Sequence, residues 1–407
     1  MLRVLLSVIA GAILVLTYFI LALGRAPYLR IDRTGAAIVG AILMIATGVL
    51  PLDEAYRAID YRTIVLLFGM MVLIAHLQMA RFFRSVVRRV AHVVHQPTLL
   101  LVSIVFVSGL LSALFVNDTV CLVFTPILIE IAAARGHRPL PYLLALATAS
   151  NIGSVATITG NPQNMLIGSV SGIRYVPFVE SLGPIALFGL AIDALLLSIM
   201  FRADLRPGPF EFEGRGPRPI HRALMVKSVI VATGVMVGFL AGLEPAMVSA
   251  VAAAVLLISR RVKPEKVYSQ IDWDLLMLFI GLFIVIAGVE RAGVARELFV
   301  LLEPIGLHTV AGLSIVSAII SNVISNVPAV MLIARLVPTL PHPETAWLTL
   351  AMSSTLAGNL TLLGSIANLI VLEGARRRQV EITFWQYFRV GFPVTALTLA
   401  FGIWWLH

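Results

Sequence analysis

Apolar residues run along this chain in long blocks rather than in helical stripes. Blocks at 2–24, 35–51, 62–80, 140–172, 182–201, 223–243, 246–260, 274–290, 345–374 and 386–406 are each long enough to cross a bilayer. About 20 apolar residues cover the ~30 Å of hydrocarbon. Two further apolar regions, 99–134 and 308–340, are too long for one crossing and carry polar residues at their middles, Val116-Asn117-Asp118-Thr119 and Ser325-Asn326-Val327-Pro328. These predict re-entrant hairpins that enter and leave on one side. The blocks at 140–172 and 345–374 are also interrupted, by "SNIGSVATITGNPQN" (150–164) and "GNLTLLGSIAN" (358–368). Backbone that leaves the helix at membrane depth is tolerated only where protein or a wet cavity surrounds it.

The interruptions come in pairs. Asp60-Tyr61-Arg62-Thr63-Ile64-Val65-Leu66-Leu67-Phe68-Gly69 resembles Asp272-Trp273-Asp274-Leu275-Leu276-Met277-Leu278-Phe279-Ile280-Gly281, and each is followed by a hairpin, a broken span and a last span. Residues 1–202 and 223–407 thus read as two repeats, joined by the Pro-, Gly- and charge-rich linker 203–222. Five crossings per repeat is odd, so the second enters from the opposite face. The predicted fold class is an all-α polytopic membrane protein of two inverted repeats, each with five spans plus one re-entrant hairpin. The segment 81–95, "RFFRSVVRRVAHVVH", predicts an amphipathic helix on the anionic inner leaflet.

Charge supports this topology. With the N-terminus outside, 23 of the 30 Lys and Arg residues fall on the cytoplasmic side, as the positive-inside rule expects. Both termini are then on the outer side of a cytoplasmic (inner) membrane. Block 2–24 is longer than a signal-peptide core and is expected to be retained. Composition agrees: 59% of the 407 residues are hydrophobic and 13% charged. The single cysteine, Cys121, excludes an internal disulfide and a multi-thiolate metal site. The chain has no P-loop, so ATP-driven pumping would need a separate ATPase subunit. It also lacks a Ser-His-Asp, HExxH or paired-carboxylate constellation, so no enzyme is expected. Nor are a cofactor or a nucleic-acid partner. The expected partners are a small inorganic substrate and lipid; a homodimer stays open.

Paired interruptions in inverted halves point to one substrate site near the midplane. The candidate substrate- or ion-binding residues are Asn117, Asp118, Thr119, Ser150, Asn151, Thr159, Asn161, Asn164, Ser325, Asn326, Asn359, Thr361, Ser365 and Asn368. They supply neutral donors and acceptors, with Asp118 the one carboxylate. A carboxylate at that depth is protonated, paired or wet, so Asp118 is the candidate proton-coupling residue. Its counterpart in the second half is Val327, which makes the site electrostatically asymmetric. Pairing with a buried donor is expected for Asp193, packing for His76 and Cys121, and interface anchoring for Glu130 and Arg335.

The motifs "NDTVCLVFTPILI" (117–129), "SNIGSVATITGNPQNMLIG" (150–168), "SNVISNVPAVML" (321–332) and "STLAGNLTLLGSIANLIVLEG" (354–374) resemble the arsenite permease/sodium–proton antiporter branch of the ion transporter superfamily. That branch includes the arsenical pump membrane proteins and the P proteins; divalent anion/sodium symporters are more distant. The "GNPQN" pattern is closer to the P proteins than to the arsenite pumps. The resemblance implies elevator movement and ion-coupled transport, with H+ or Na+ as coupling ion. Proton-coupled efflux of arsenite or antimonite is the leading expectation. Sodium–proton antiport and sodium-coupled oxyanion or dicarboxylate transport are the alternatives. The absence of Lys and Arg from all four interruptions counts against a dianion.

Overall fold

A chain this apolar can satisfy its backbone only within itself, and it does so as helix almost throughout. The computed structural model describes residues 2–25, 30–205, 222–258, 262–294 and 306–407, and no β-strand occurs among them. The first half contains α1 (Leu2–Leu23), α2 (Arg33–Ala46), α3 (Leu52–Ala58), α4 (Tyr61–Met79), α5 (Phe82–Val93), α6 (Pro97–Leu114), α7 (Asn117–Ala134), α8 (Leu140–Ser154), α9 (Pro162–Ser171) and α10 (Tyr175–Met200). The second contains α11 (Arg222–Leu240), α12 (Pro245–Leu257), α13 (Pro264–Tyr268), α14 (Trp273–Arg291), α15 (Val310–Ile324), α16 (Asn326–Ala334), α17 (Pro343–Leu356), α18 (Ile366–Arg376) and α19 (Phe384–Leu406). Among the described residues, 8 helices are long and apolar enough to cross a membrane. Most of the linker 203–222 lies outside the described residues.

Each interrupted block resolves into two helices. The 99–134 region becomes α6 and α7, joined at Phe115 and Val116, and the 308–340 region becomes α15 and α16, joined at Ser325. Block 140–172 becomes α8 and α9, and 345–374 becomes α17 and α18, each pair separated by a short 3₁₀ turn and loop. Blocks 35–51 and 246–260 yield helices of 14 and 13 residues. Those are roughly 20 Å long, shorter than the hydrocarbon layer, so neighbours must cover their ends.

The packing pairs the halves crosswise. Helix α2 lies against α14, and α4 against α12; α3 touches α14, and α13 touches α4. Helix α7 packs on α18, and α16 on α9; α6 packs on α8, and α15 on α17. Exchanging the corresponding helices of the two halves leaves this pattern unchanged. Small residues permit the close crossings. A Cβ on Gly69 would stand 2.6 Å from the Ser249 backbone, and one on Gly281 2.7 Å from that of Ala37. Those two glycines occupy matching places in the repeated "DYRTIVLLFG" and "DWDLLMLFIG" segments.

Helix α5 is amphipathic as expected, but its apolar stripe has a different partner. Phe83, Val87 and Ala91 are buried, and the helix packs on α7 rather than presenting this stripe outward. Arg84 and Arg88 reach Glu130 of α7, each at 3.5 Å, and Arg378 reaches the same carboxylate at 3.7 Å. Glu130 therefore anchors one hairpin arm to its neighbours, and Arg335 anchors the other through Glu290 at 3.2 Å.

Candidate functional site

Where α8 ends, no intrahelical donors remain for its last carbonyls. Asn164 supplies them. Its Nδ2 donates to the carbonyls of Ser154 at 3.1 Å and Thr157 at 3.0 Å, ten and seven residues earlier. Asn161 caps α9, its Oδ1 accepting from the Asn164 backbone N–H at 2.8 Å. The second break repeats this in the same register. Asn368 Nδ2 donates to the carbonyls of Gly358 at 2.7 Å and Thr361 at 3.2 Å, again ten and seven residues earlier. Ser365 takes the cap position of α18 and accepts from the Ala367 N–H at 3.1 Å. One amide per break thus braces the non-helical backbone.

Asn151 joins the halves. Its Oδ1 accepts from Asn117 Nδ2 at 3.0 Å, on the first hairpin tip, and from Ser365 Oγ at 3.0 Å. Its Nδ2 donates to Asn359 Oδ1 at 2.9 Å and Asn368 Oδ1 at 3.1 Å. Asn359 Nδ2 in turn donates to the Thr148 carbonyl at 3.1 Å. The structure therefore gathers Asn117, Asn151, Asn359, Ser365 and Asn368 into one buried cluster. The second tip comes close: a Cβ on Gly358 would stand 3.4 Å from Asn326 Nδ2 and 3.6 Å from Asn151 Nδ2.

A sibling cluster sits where Asn161 Nδ2 donates to Thr355 Oγ1 at 3.2 Å and to Ser154 Oγ at 3.0 Å, with Gln163 Nε2 also donating to Thr355 at 3.2 Å. Exchange of halves carries the Ser365–Asn151 contact onto Asn161–Thr355. Ser150 is reached through Cys121, whose sulfur lies 3.1 Å from its hydroxyl. Thr361 hydrogen-bonds Asn322 Oδ1 at 3.2 Å, and Thr159 stands apart, bonded to Tyr175 at 3.0 Å. Ser325 is a turn residue at φ 78°, a region that favours glycine.

Asp118 does not join the amide network. It is half-buried and, among the described residues, accepts no hydrogen bond and forms no ion pair. With Thr119 it lines a cleft of about 420 Å3, together with Gln78, Ser269, Gln270 and Asp272. A second cavity of about 750 Å3 adjoins this cleft through Leu122, Ile366 and Ile370, and leads to Glu373, Arg377 and Arg378. The cleft's two-fold counterpart, about 610 Å3, is lined by Asp60, Phe283 and Arg335 but ends at Leu166 and Met331 without reaching the second hairpin tip. No group of three or more His, Cys, Asp or Glu able to hold a metal occurs among the described residues.

Sequence reasoning missed Thr148, Ser154, Gln163, Asn322, Thr355, Gln78 and Asp272 as parts of the site. A signal was present for Thr355. It precedes Ser365 by the interval that separates Asn151 from Asn161, so the repeat register singles it out. His76 bonds the Val72 carbonyl at 2.8 Å, as a packing histidine should. Asp193 does have a buried hydroxyl partner, Thr148 Oγ1 at 2.9 Å.

Comparison with known proteins places this geometry among transporters. The family profile described as "CitMHS: Citrate transporter" matches residues 16–357. The silicon efflux transporter LSI3 of Oryza sativa subsp. japonica is 33% identical over 98% of this chain and 97% of its own. A transporter named arsB from Dictyostelium discoideum is 25% identical over 92% of this chain and 87% of its own. Among solved structures, the YdaH transporter of Alcanivorax borkumensis superposes with a TM-score of 0.60 over 99% of this chain and 97% of its own, at 17% identity, which establishes a shared fold.

Proposed function

The chain belongs to the citrate transporter family, secondary transporters rather than enzymes, and from that premise we propose that it exports a small uncharged metalloid hydroxide in exchange for protons. Arsenite and antimonite are the leading substrates. One observation carries the reading: the two broken helices and the first hairpin tip meet in amides and hydroxyls with no Lys or Arg among them, and Asp118 of that tip faces a cleft. At neutral pH As(OH)3 is an uncharged triol, which such groups match in donors and acceptors. Citrate carries several negative charges and would need cations that the cluster does not have. The relative named for silicon efflux fits the same chemistry, since silicic acid is also an uncharged hydroxide.

Asp118 carries the proton in this proposal. Its cleft is lined by Gln78, Ser269 and Gln270, close in sequence to the basic segments 81–89 and 260–266 that the positive-inside rule assigns to the cytoplasmic side. The crosswise packing supports two inverted repeats whose hairpins re-enter from opposite faces. It equally suits an elevator in which hairpins and broken helices move against α1–α4 and α11–α14. A second reading rests on Asp272, which lines the same cleft as Asp118. Two carboxylates there would suit Na+ in a sodium–proton antiporter.

Everted vesicles energised by respiration decide among these. Uptake of arsenite that collapses when a protonophore is added supports the proposal. Uptake of citrate in its place overturns it, and so does an Na+-induced loss of the proton gradient without arsenite uptake.

A further inference from the structure

The most deeply buried carboxylate of the described residues takes no part in the site as drawn so far. Asp193 lies on α10 with none of its surface exposed. Its Oδ1 has no hydrogen-bond partner, and its Oδ2 meets Thr148 Oγ1 at 2.9 Å. Among the described residues no Lys, Arg or His pairs with it. Lys227 of α11 and Glu344 of α17, on helices packed against α10, make no contact with it. Tyr387 of α19 is the titratable group within electrostatic reach, and its buried hydroxyl lies near Asn368 of the amide cluster.

Counting hydrogens points to where the proton sits. Thr148 has one hydroxyl hydrogen, yet its oxygen lies 2.9 Å from the Leu144 carbonyl and 2.9 Å from Asp193 Oδ2, both of them acceptors if Asp193 is ionised. A carboxylic acid removes the conflict. Asp193 Oδ2–H donates to the Thr148 oxygen, and the Thr148 hydrogen goes back to Leu144. A carboxylate buried with one shared donor and no cation would leave its charge uncompensated, which a membrane interior tolerates poorly.

Thr148 also links this acid to the site. Its backbone carbonyl accepts from Asn359 Nδ2 at 3.1 Å, and Asn359 Oδ1 accepts from Asn151 Nδ2 at 2.9 Å. We propose that Asp193 is a neutral carboxylic acid that fixes the Thr148 turn of α8 and so positions Asn359 in the substrate site. It is a positioning residue and not a proton carrier. The proposal rests on the substrate reading above for its effect on transport, but not for the protonation state.

The test joins infrared spectroscopy with transport on the full-length protein in proteoliposomes. The wild-type minus Asp193→Asn difference spectrum should contain the carbonyl stretch of a protonated carboxylic acid, unchanged as bulk pH is varied across neutrality. Thr148→Val should move that band to the position of an acid with no acceptor. Asp193→Asn keeps a donor toward Thr148, so the KM for arsenite and the pH profile of transport should stay within about twofold of wild type. Asp193→Ala should raise KM about tenfold with kcat little changed. Monodisperse gel filtration of each variant separates these effects from misfolding. A missing acid band overturns the proposal, as does an unchanged KM in Asp193→Ala. Loss of proton-driven accumulation in Asp193→Asn also overturns it, because Asp193 would then carry the coupling proton. If wild type moves no arsenite, only the substrate reading fails; the band still reports Asp193, and KM is taken for whichever of silicic acid, Na+ or citrate is carried.

Discussion

The two hairpin tips hold matching places in the fold and differ in chemistry. At the first, Asn117 bonds Asn151, and Asp118 faces a cleft that reaches it. At the second, Val327 replaces the carboxylate and the matching cavity ends short of the tip, while Asn326 Oδ1, like Asn117 Oδ1, has no partner. The second tip is instead fastened from outside: the Pro328 carbonyl accepts from Tyr18 of α1 at 3.1 Å. A near-symmetric scaffold can thus serve two faces while a single carboxylate on one tip gives the chemistry a direction. In the proposed mechanism symmetry provides two ways out, and Asp118 distinguishes them.

Removing the titratable group should have the largest effect. Asp118→Asn keeps the shape of the tip, and gradient-driven arsenite accumulation in everted vesicles should fall about a hundredfold, equivalent to ~3 kcal/mol. Val327→Asn should leave accumulation unchanged. Next comes the junction between halves. Asn151→Ala removes the partner of the Asn117 amide, of the Ser365 hydroxyl hydrogen and of the Asn359 and Asn368 side-chain oxygens, and unsatisfied buried groups cost about 1–3 kcal/mol apiece. Transport should drop at least about tenfold, with a lower melting temperature in detergent.

Two smaller changes bear on the second tip. Tyr18→Phe frees the Pro328 carbonyl, and a cysteine placed at Leu166 should then react several-fold faster with an impermeant thiol reagent from outside. An unchanged rate would mean that Tyr18 is no latch. Ser325→Gly relieves a backbone at φ 78° and ψ 156° and should raise thermal stability by about 1 kcal/mol without changing substrate preference.

Much of this comparison was legible in the sequence because lipid punishes unsatisfied backbone. Four polar interruptions in apolar blocks needed a common explanation, and the structure gathers residues from both breaks and the first tip, with the second tip close by. Asn117, Asn151, Asn359, Ser365 and Asn368 were found that way. Thr148, Asn322 and Thr355 were not, because a Thr or Asn inside an apolar helix looks the same whether it bonds its own turn or another helix; for Thr355 alone the repeat register held a signal. Their partners lie far away in sequence; Thr355 meets Gln163 across 192 residues. The α5 stripe shows the same limit from the other side. Its periodicity marked an apolar face, but periodicity does not distinguish lipid from α7.

The central claim is that one carboxylate couples proton movement to export through the amide cluster. The most direct measurement is proton flux into proteoliposomes, followed with an enclosed pH-sensitive dye while an imposed arsenite gradient is the only driving force. The account predicts an opposing proton flux with wild-type protein, and none with Asp118→Asn even though that variant still exchanges labelled for unlabelled arsenite. Arsenite movement without proton flux in wild type, or equal proton flux in both proteins, would contradict it.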